Sequence, residues 1–197
     1  MSVLFENSNT KINLMKAFAG ESQARNRYTF AASQAEKEGL YVLKKVFKLT
    51  SKHEKTHAKL FYKKLKPLSD GIVSISGDYP VNIYESTIGN LKAAQANEYA
   101  EYNDVYKAFG DEAAAEGFED IAELFRKIAP IEKTHGDRFG KMLGLIESGK
   151  LFVSDQEETW ICLKCGSVHK GKIAPKICPV CEHGQGYQIR QDWISLF

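Results

Sequence analysis

The tetrapeptide Glu54-Lys55-Thr56-His57 recurs unchanged as Glu132-Lys133-Thr134-His135, 78 positions on (54 to 132), each time deep in a run of helical apolar spacing. A helix turns once in about 3.6 residues, so a Glu and a His three apart share one face. Using both copies together requires two such helices side by side with those faces turned inward, which a bundle provides. The apolar periodicity predicts four helices: about Thr10–Glu38 with Gly39 as its stop, Leu40–Leu65 before Pro67, Ile83–Phe109, and Glu116–Glu147 ending at Gly149. Ser8, Asn9 and Thr10 offer N-caps for the first. Between the second and third, Ser69–Pro80 holds Gly71, Gly77 and Pro80 and breaks the pattern. That segment is long for a bundle connection and must carry the chain back across.

An antiparallel all-α four-helix bundle with one long crossover between helices two and three is the ferritin-like arrangement. Its halves are related. The same shift superposes Tyr28 on Tyr106, Ala35 on Ala113, Glu38-Gly39 on Glu116-Gly117, Leu43 on Ile121, Phe47 on Phe125, Phe61 on Phe139 and Leu65 on Leu143. One detail breaks register. Glu21 lands on Tyr99, whereas the useful carboxylate is Glu98. A single extra residue between Glu98 and Tyr106 predicts a π-bulge in helix three, a feature common at functional sites.

Glu21, Glu54, Glu98, Glu101 and Glu132 all fall mid-helix. Burying several carboxylates without compensation costs several kcal/mol each or forces protonation. Two divalent metals remove that penalty, and oxygen plus imidazole ligands suit iron, manganese or zinc. The pairs 54/57, 98/101 and 132/135 are each spaced by three. The competing reading makes them exposed partners of Lys52, Lys55 and Lys59; one ExxH would favour it, whereas two in equivalent helices favour a two-metal site. Glu101, one turn from Glu98, is one carboxylate more than a six-ligand set needs; it is either an alternative ligand or an exposed charge. Tyr28 and Tyr106 follow Glu21 and Glu98 by two turns, either as hydrogen-bond partners of ligand carboxylates or as amphipathic core residues. His53, His169 and His183 read as surface histidines. Pro130, two residues before Glu132, must kink helix four or remove a backbone bond there.

After Gly149 the pattern changes. Ser154–Thr159 is polar and acidic and reads as a linker, so the predicted division is a bundle over 1–153 and a small domain over 154–197. All four cysteines lie in that second part, as Cys162-x-x-Cys165 and Cys178-x-x-Cys181. Four thiolates on two turns make a tetrahedral cage for zinc or a single iron, and Trp160, Tyr187, Trp193 and Phe197 fit either a hydrophobic shell around a redox iron or the core of any small domain. Disulfides are the weaker reading at this spacing. The net charge of +2 does not advertise a nucleic-acid or anionic-membrane partner. No run approaches the 18 apolar residues of a membrane span. Met1–Asn7 carries no signal-peptide pattern, and a cytoplasmic protein is expected.

Taken together, ESQARNRY around Glu21, both EKTH segments, EYAEY at 98–102 and the two cysteine knuckles resemble the rubrerythrin family over essentially the full length. Two departures stand out: Pro130, and Glu182 where free-standing rubredoxins usually have Gly. The resemblance implies a ferritin-like di-iron domain followed by a rubredoxin-like β domain, holding two Fe and one iron–tetracysteinate (FeS4) centre per chain. It implies Glu54 and Glu132 as bridging ligands, Glu21 and Glu98 as terminal ones, and His135 on the iron held by Glu98. The other iron would move between Glu101 when oxidised and His57 when reduced. The implied activity is reduction of hydrogen peroxide to water in oxidative stress protection, with electrons relayed through the FeS4 site from an NAD(P)H-dependent reductase. A homodimer is implied, with the rubredoxin-like domain of one chain near the di-iron site of the other. The alternatives are a ferroxidase that uses oxygen, and a non-enzymatic zinc-ribbon module on a metal-binding bundle.

Overall fold

The computed structural model describes residues 3–196, with side chains to residue 194. Met1, Ser2 and Phe197, the last assigned above to the aromatic shell, lie outside the described residues. Helix α1 spans Asn9–Lys37, α2 Tyr41–Lys64, α3 Thr87–Ala100, α4 Tyr106–Ala115 and α5 Glu119–Glu147. A π-helical turn, Glu101–Val105, joins α3 to α4, so four rods form the bundle. The extra residue predicted from the register slip is accommodated there. The third rod outruns its predicted end at Phe109 because Gly110 is a packing position: a Cβ there would sit 3.4 Å from Phe125 Cβ and 3.5 Å from the Ala122 carbonyl. Residues 69–86 cross the bundle without a helix or strand.

The duplication also fixes the helix ends. Gly39 and Gly117 both take left-handed φ, +72° and +90°, and close α1 and α4. The acidic residue before each glycine reaches across to the start of a rod in the other half. Glu116 accepts from the Asn9 and Thr10 amides, both at 2.8 Å, and Glu38 accepts from the Thr87 amide at 2.8 Å. Each carboxylate therefore meets the positive end of a helix dipole and satisfies orphan N–H groups. Thr10 maps to Thr87 by a shift of 77 and Tyr28 to Tyr106 by 78 (87 less 10, 106 less 28). The insertion thus falls between them, where the π-turn lies.

Two aromatic clusters flank the middle of the bundle. Tyr28 packs on Phe139 at 5.1 Å and Phe47 at 6.3 Å between ring centroids. Tyr106 packs on Phe61 at 5.5 Å and Phe125 at 5.7 Å. Each cluster takes rings from both halves, so neither half buries its own aromatic surface alone. Pro130 does not interrupt α5; only the N–H that proline lacks is missing from the ladder.

The C-terminal strands are β1 (Val153–Cys162), β2 (Val168–Ile173) and β3 (Gln188–Arg190), in the antiparallel order β2-β1-β3. Ser154–Thr159 is therefore the first half of a strand, which corrects the linker reading. It stays polar because none of it is fully buried, and pairing with β2 holds it at Val153 and again from Glu158, across a bulge. Trp160 is fully buried and its indole donates to the Gly171 carbonyl at 2.8 Å. The sheet sits against the α1–α2 turn. Tyr187 stacks on Tyr41 with centroids 3.8 Å apart, Gly186 abuts the Gly39 carbonyl, and Ile189 and Trp193 join the core around Leu43 and Val46. Among the described residues, no helix is long and apolar enough to cross a membrane.

Candidate metal centres

Four helical rods each contribute a buried glutamate at mid-bundle height: Glu21, Glu54, Glu98 and Glu132, none more than 1% exposed. His57 and His135 lie one turn beyond Glu54 and Glu132 on the same faces, as the three-residue spacing requires. The ligand atoms fall into two groups: Glu21, Glu54, His57 and Glu132, and Glu54, Glu98, Glu132 and His135. Nδ1 of His57 is 2.9 Å from Glu132 Oε1 and 3.2 Å from Glu54 Oε2, with Glu21 Oε1 at 3.8 Å. Nδ1 of His135 is 2.9 Å from Glu132 Oε2, 3.1 Å from Glu54 Oε1 and 3.2 Å from Glu98 Oε2. Glu54 and Glu132 thus show one oxygen to each group.

Of those close approaches, only that of His135 Nδ1 to Glu98 Oε2 is a hydrogen bond. Both oxygens of Glu54 and of Glu132, Glu21 Oε2 and His57 Nδ1 are buried without a hydrogen-bond partner. So many orphaned lone pairs turned on two points are costly in a folded interior and mark those points as places for cations. Metal–ligand bonds of roughly 2.0–2.2 Å imply neighbouring ligand atoms about 3 Å apart, which is the spacing found. Four carboxylates balance two divalent ions. The donor set fits.

Without the cations, the charges strain against each other. Burial, then the nearby Glu54 carboxylate, pushes Glu98 up to about 8. Glu21 is raised by burial and by Glu54, with the Tyr106 hydroxyl opposing. Burial would raise Glu54 as well, but the imidazoles of His135 and His57 hold it at about 2. Burial works against protonated imidazole, yet the carboxylates beside them lift His57 to about 9 and His135 to about 12. The interior substitutes protons for missing positive charge.

The tyrosines cross between halves. Tyr28 donates to Glu98 and Tyr106 donates to Glu21, each buried in its aromatic cluster. They are partners of ligand carboxylates as well as core residues. Glu101 stands apart: it is half-buried on the π-turn and belongs to neither group. Burial and the carboxylates of Glu98, Glu132 and Glu54 raise its pKa.

His53 corrects the surface reading. Its Nδ1 lies 3.0 Å from His135 Nε2 and the two rings stack at 5.2 Å. The four-residue spacing from His57 puts His53 on the same side of α2, but nothing in the sequence names its partner. His183 is also tied down, its Nδ1 lying 2.8 Å from the Cys181 carbonyl, whereas His169 is exposed.

In the C-terminal unit the four cysteines converge. Sγ of Cys162 is 3.7 Å from that of Cys181, and Cys165 from Cys178 likewise. Disulfide sulfurs are about 2.05 Å apart, whereas metal–sulfur bonds of about 2.3 Å in a tetrahedron put sulfurs about 3.8 Å apart. The Ser167 hydroxyl 3.1 Å from Cys178 Sγ, with the amides of Cys181 and Val180, pulls that thiol down to about 5. After each knuckle the chain turns through left-handed φ, at Gly166 (+79°) and at Glu182 (+59°). Glu182 takes up a conformation that glycine adopts at no steric cost.

A family model described as Rubrerythrin matches residues 13–143, and one described as Rubrerythrin, rubredoxin-like domain matches 160–187. The chain belongs to the rubrerythrin family. It is 47% identical to Rubrerythrin-1 of Clostridium acetobutylicum over 90% of this chain and 92% of that one. With the rubrerythrin of Porphyromonas gingivalis it shares 44% identity over 95% and 92%. A partially reduced nigerythrin structure superposes with a TM-score of 0.63 at 26% identity, covering 92% of this chain and 86% of that one. The chain therefore carries a rubrerythrin di-iron domain, with its carboxylate–histidine site, and a rubredoxin-like four-cysteine site. This is the machinery of an oxidoreductase that exchanges electrons with redox partners.

Proposed function

We propose that the protein reduces hydrogen peroxide to water as part of oxidative stress protection, drawing electrons through its four-cysteine site from an NAD(P)H-dependent reductase. The observation that carries this reading is the coexistence in one chain of a buried two-metal cage and a separate four-thiolate cage. Bound in the first cage, iron would supply two electrons for O–O cleavage, and bound in the second it would pass them on one at a time. Glu54 and Glu132, which show an oxygen to each group, would hold both metals, Glu21 and Glu98 one each, and His135 and His57 would complete the two groups. Tyr28 and Tyr106 keep their hydroxyl protons on Glu98 and Glu21 and so fix those carboxylates. Glu101, unattached and next to the cage, is available as the alternative to His57. The aromatic clusters exclude water from either side.

The four-cysteine unit packs at Tyr41, and Glu54 lies 13 residues further along α2 (54 less 41), about 20 Å at 1.5 Å per residue. That separation favours delivery from the four-cysteine unit of a second copy, and hence a homodimer. The test is Cys178→Ser. Peroxide should oxidise the pre-reduced variant at the wild-type rate, while steady-state turnover with reductase falls at least 100-fold. Unaltered turnover would rule out the relay.

A further inference from the structure

Between α1, the π-turn and the crossover segment lies a cleft of about 760 Å³, and Glu101 and Tyr106 form part of its wall. The Tyr106 hydroxyl donates to Glu21, so a single side chain separates this cleft from the metal cage. Hydrogen peroxide is little larger than water, whose share of liquid volume is about 30 Å³. The cleft is many times that size, and falls in the range of roughly 300–1,000 Å³ typical of pockets for organic ligands. We propose that it is a substrate chamber for organic hydroperoxides, which present the peroxide group to the cage and seat their apolar substituent in the cleft.

Its construction supports this. Gly20 lines the cleft from the middle of α1, where glycine costs about 1 kcal/mol relative to alanine. No close contact requires it, since a Cβ there would meet only the Tyr79 ring, at 3.9 Å. What glycine preserves is the open space under Tyr79. Tyr79 roofs that space from the crossover segment and is pinned to α1 by donating to the Lys16 carbonyl at 3.2 Å. Phe109 adds an apolar wall. Arg27 supplies the polar side: its Nη1 donates to Asn82 at 3.1 Å, while its buried Nε–H has no hydrogen-bond partner. Arg27 lines the cleft, and its positive charge favours the oxygens of the substrate. The reaction breaks the O–O bond of R–O–OH, consumes two electrons and two protons, and leaves R–OH and water. The electrons are those the proposed peroxidase already draws from its reductase, so this inference rests on that reading.

The test uses the full-length, iron-loaded protein and two readouts. The first is calorimetric titration with cumyl alcohol, the unreactive product of cumene hydroperoxide. The second is oxidation of the pre-reduced protein by cumene hydroperoxide and, separately, by hydrogen peroxide. Gly20→Leu should fold at least as well as wild type, because leucine is the better helix former. It should weaken cumyl alcohol binding and slow cumene hydroperoxide at least 10-fold, while the hydrogen peroxide rate stays within twofold. Adding Tyr79→Ala should restore both. No binding of cumyl alcohol to wild type, or equal effects of Gly20→Leu on the two peroxides, would overturn the chamber and leave the peroxidase reading standing. Wild-type protein that binds cumyl alcohol but is oxidised by neither peroxide would overturn both.

Discussion

The two copies of Glu-Lys-Thr-His occupy equivalent places in the bundle but not equivalent surroundings. His135 is held at both ring nitrogens, with three carboxylates within 3.2 Å of Nδ1 and His53 at 3.0 Å from Nε2. His57 has two carboxylates that close, the third at 3.8 Å, and its distal nitrogen makes no hydrogen bond among the described residues. The π-turn adds to the difference. It brings a fifth carboxylate, Glu101, beside the cage from the second half, and the first half has no counterpart. Duplication builds a symmetric cage; one inserted residue and one neighbouring histidine make its two ends unequal. An unequal cage can keep one metal fixed while the other changes ligand.

Removing each histidine in turn is the strongest way to break that comparison. His135→Ala should lose about one iron per chain and slow peroxide oxidation at least 100-fold. His57→Ala should keep both irons, with Glu101 as substitute, and lose only about 10-fold in rate. Metal analysis beside stopped-flow oxidation reads both. Equal iron loss in the two variants would show that the ends are equivalent and that Glu101 is no ligand.

Much of this was legible in the sequence because the chemistry is duplicated. The carboxylates and histidines announce themselves at spacings that only a helix makes meaningful, and the slip from Tyr99 to Glu98 locates the π-turn. What was not legible depends on packing between segments. His53 looks like a surface residue until α5 is placed beside α2, because its partner lies 82 positions away (135 less 53). The strand Val153–Cys162 hides because its first half is solvent-facing and carries no apolar alternation. The seat of the four-cysteine unit depends on contacts such as the ring stack between Tyr41 and Tyr187 and the packing of Ile189 and Trp193 near Leu43, whose residue types do not identify one another.

Protons should replace the metals when these are removed, and unequally at the two ends. In the metal-free fold Glu98 rises from 4.5 to about 8, His57 from 6.5 to about 9 and His135 from 6.5 to about 12. In each case the folded state keeps a proton that the unfolded chain has released, so stability falls as pH rises from about 5 to about 9, with the His135 share still being lost up to about 12. Glu54, held at about 2, acts in the opposite sense but only below 4.5. The melting temperature of metal-free protein should drop by on the order of 10 °C across that interval. Iron-loaded protein should show little of this slope, since metal then supplies the positive charge. Parallel slopes with and without iron would mean that the cage residues do not govern the pH response.

The smallest effect isolates the His53 contact. With His135 Nδ1 turned into the cage, its Nε2–H is the natural donor to His53 Nδ1 at 3.0 Å, which fixes both the ring plane and the tautomer. A group holding the far nitrogen of a ligating histidine typically contributes 10–100-fold in metal affinity. His53→Ala should therefore weaken the tighter iron site by about 10-fold in a chelator competition and leave the weaker site unchanged. His53→Gln, whose amide oxygen can accept the same N–H, should recover most of the loss. If His53→Ala instead weakens both sites alike, the contact is ordinary packing between α2 and α5, and the asymmetry of the cage must then come from the π-turn alone.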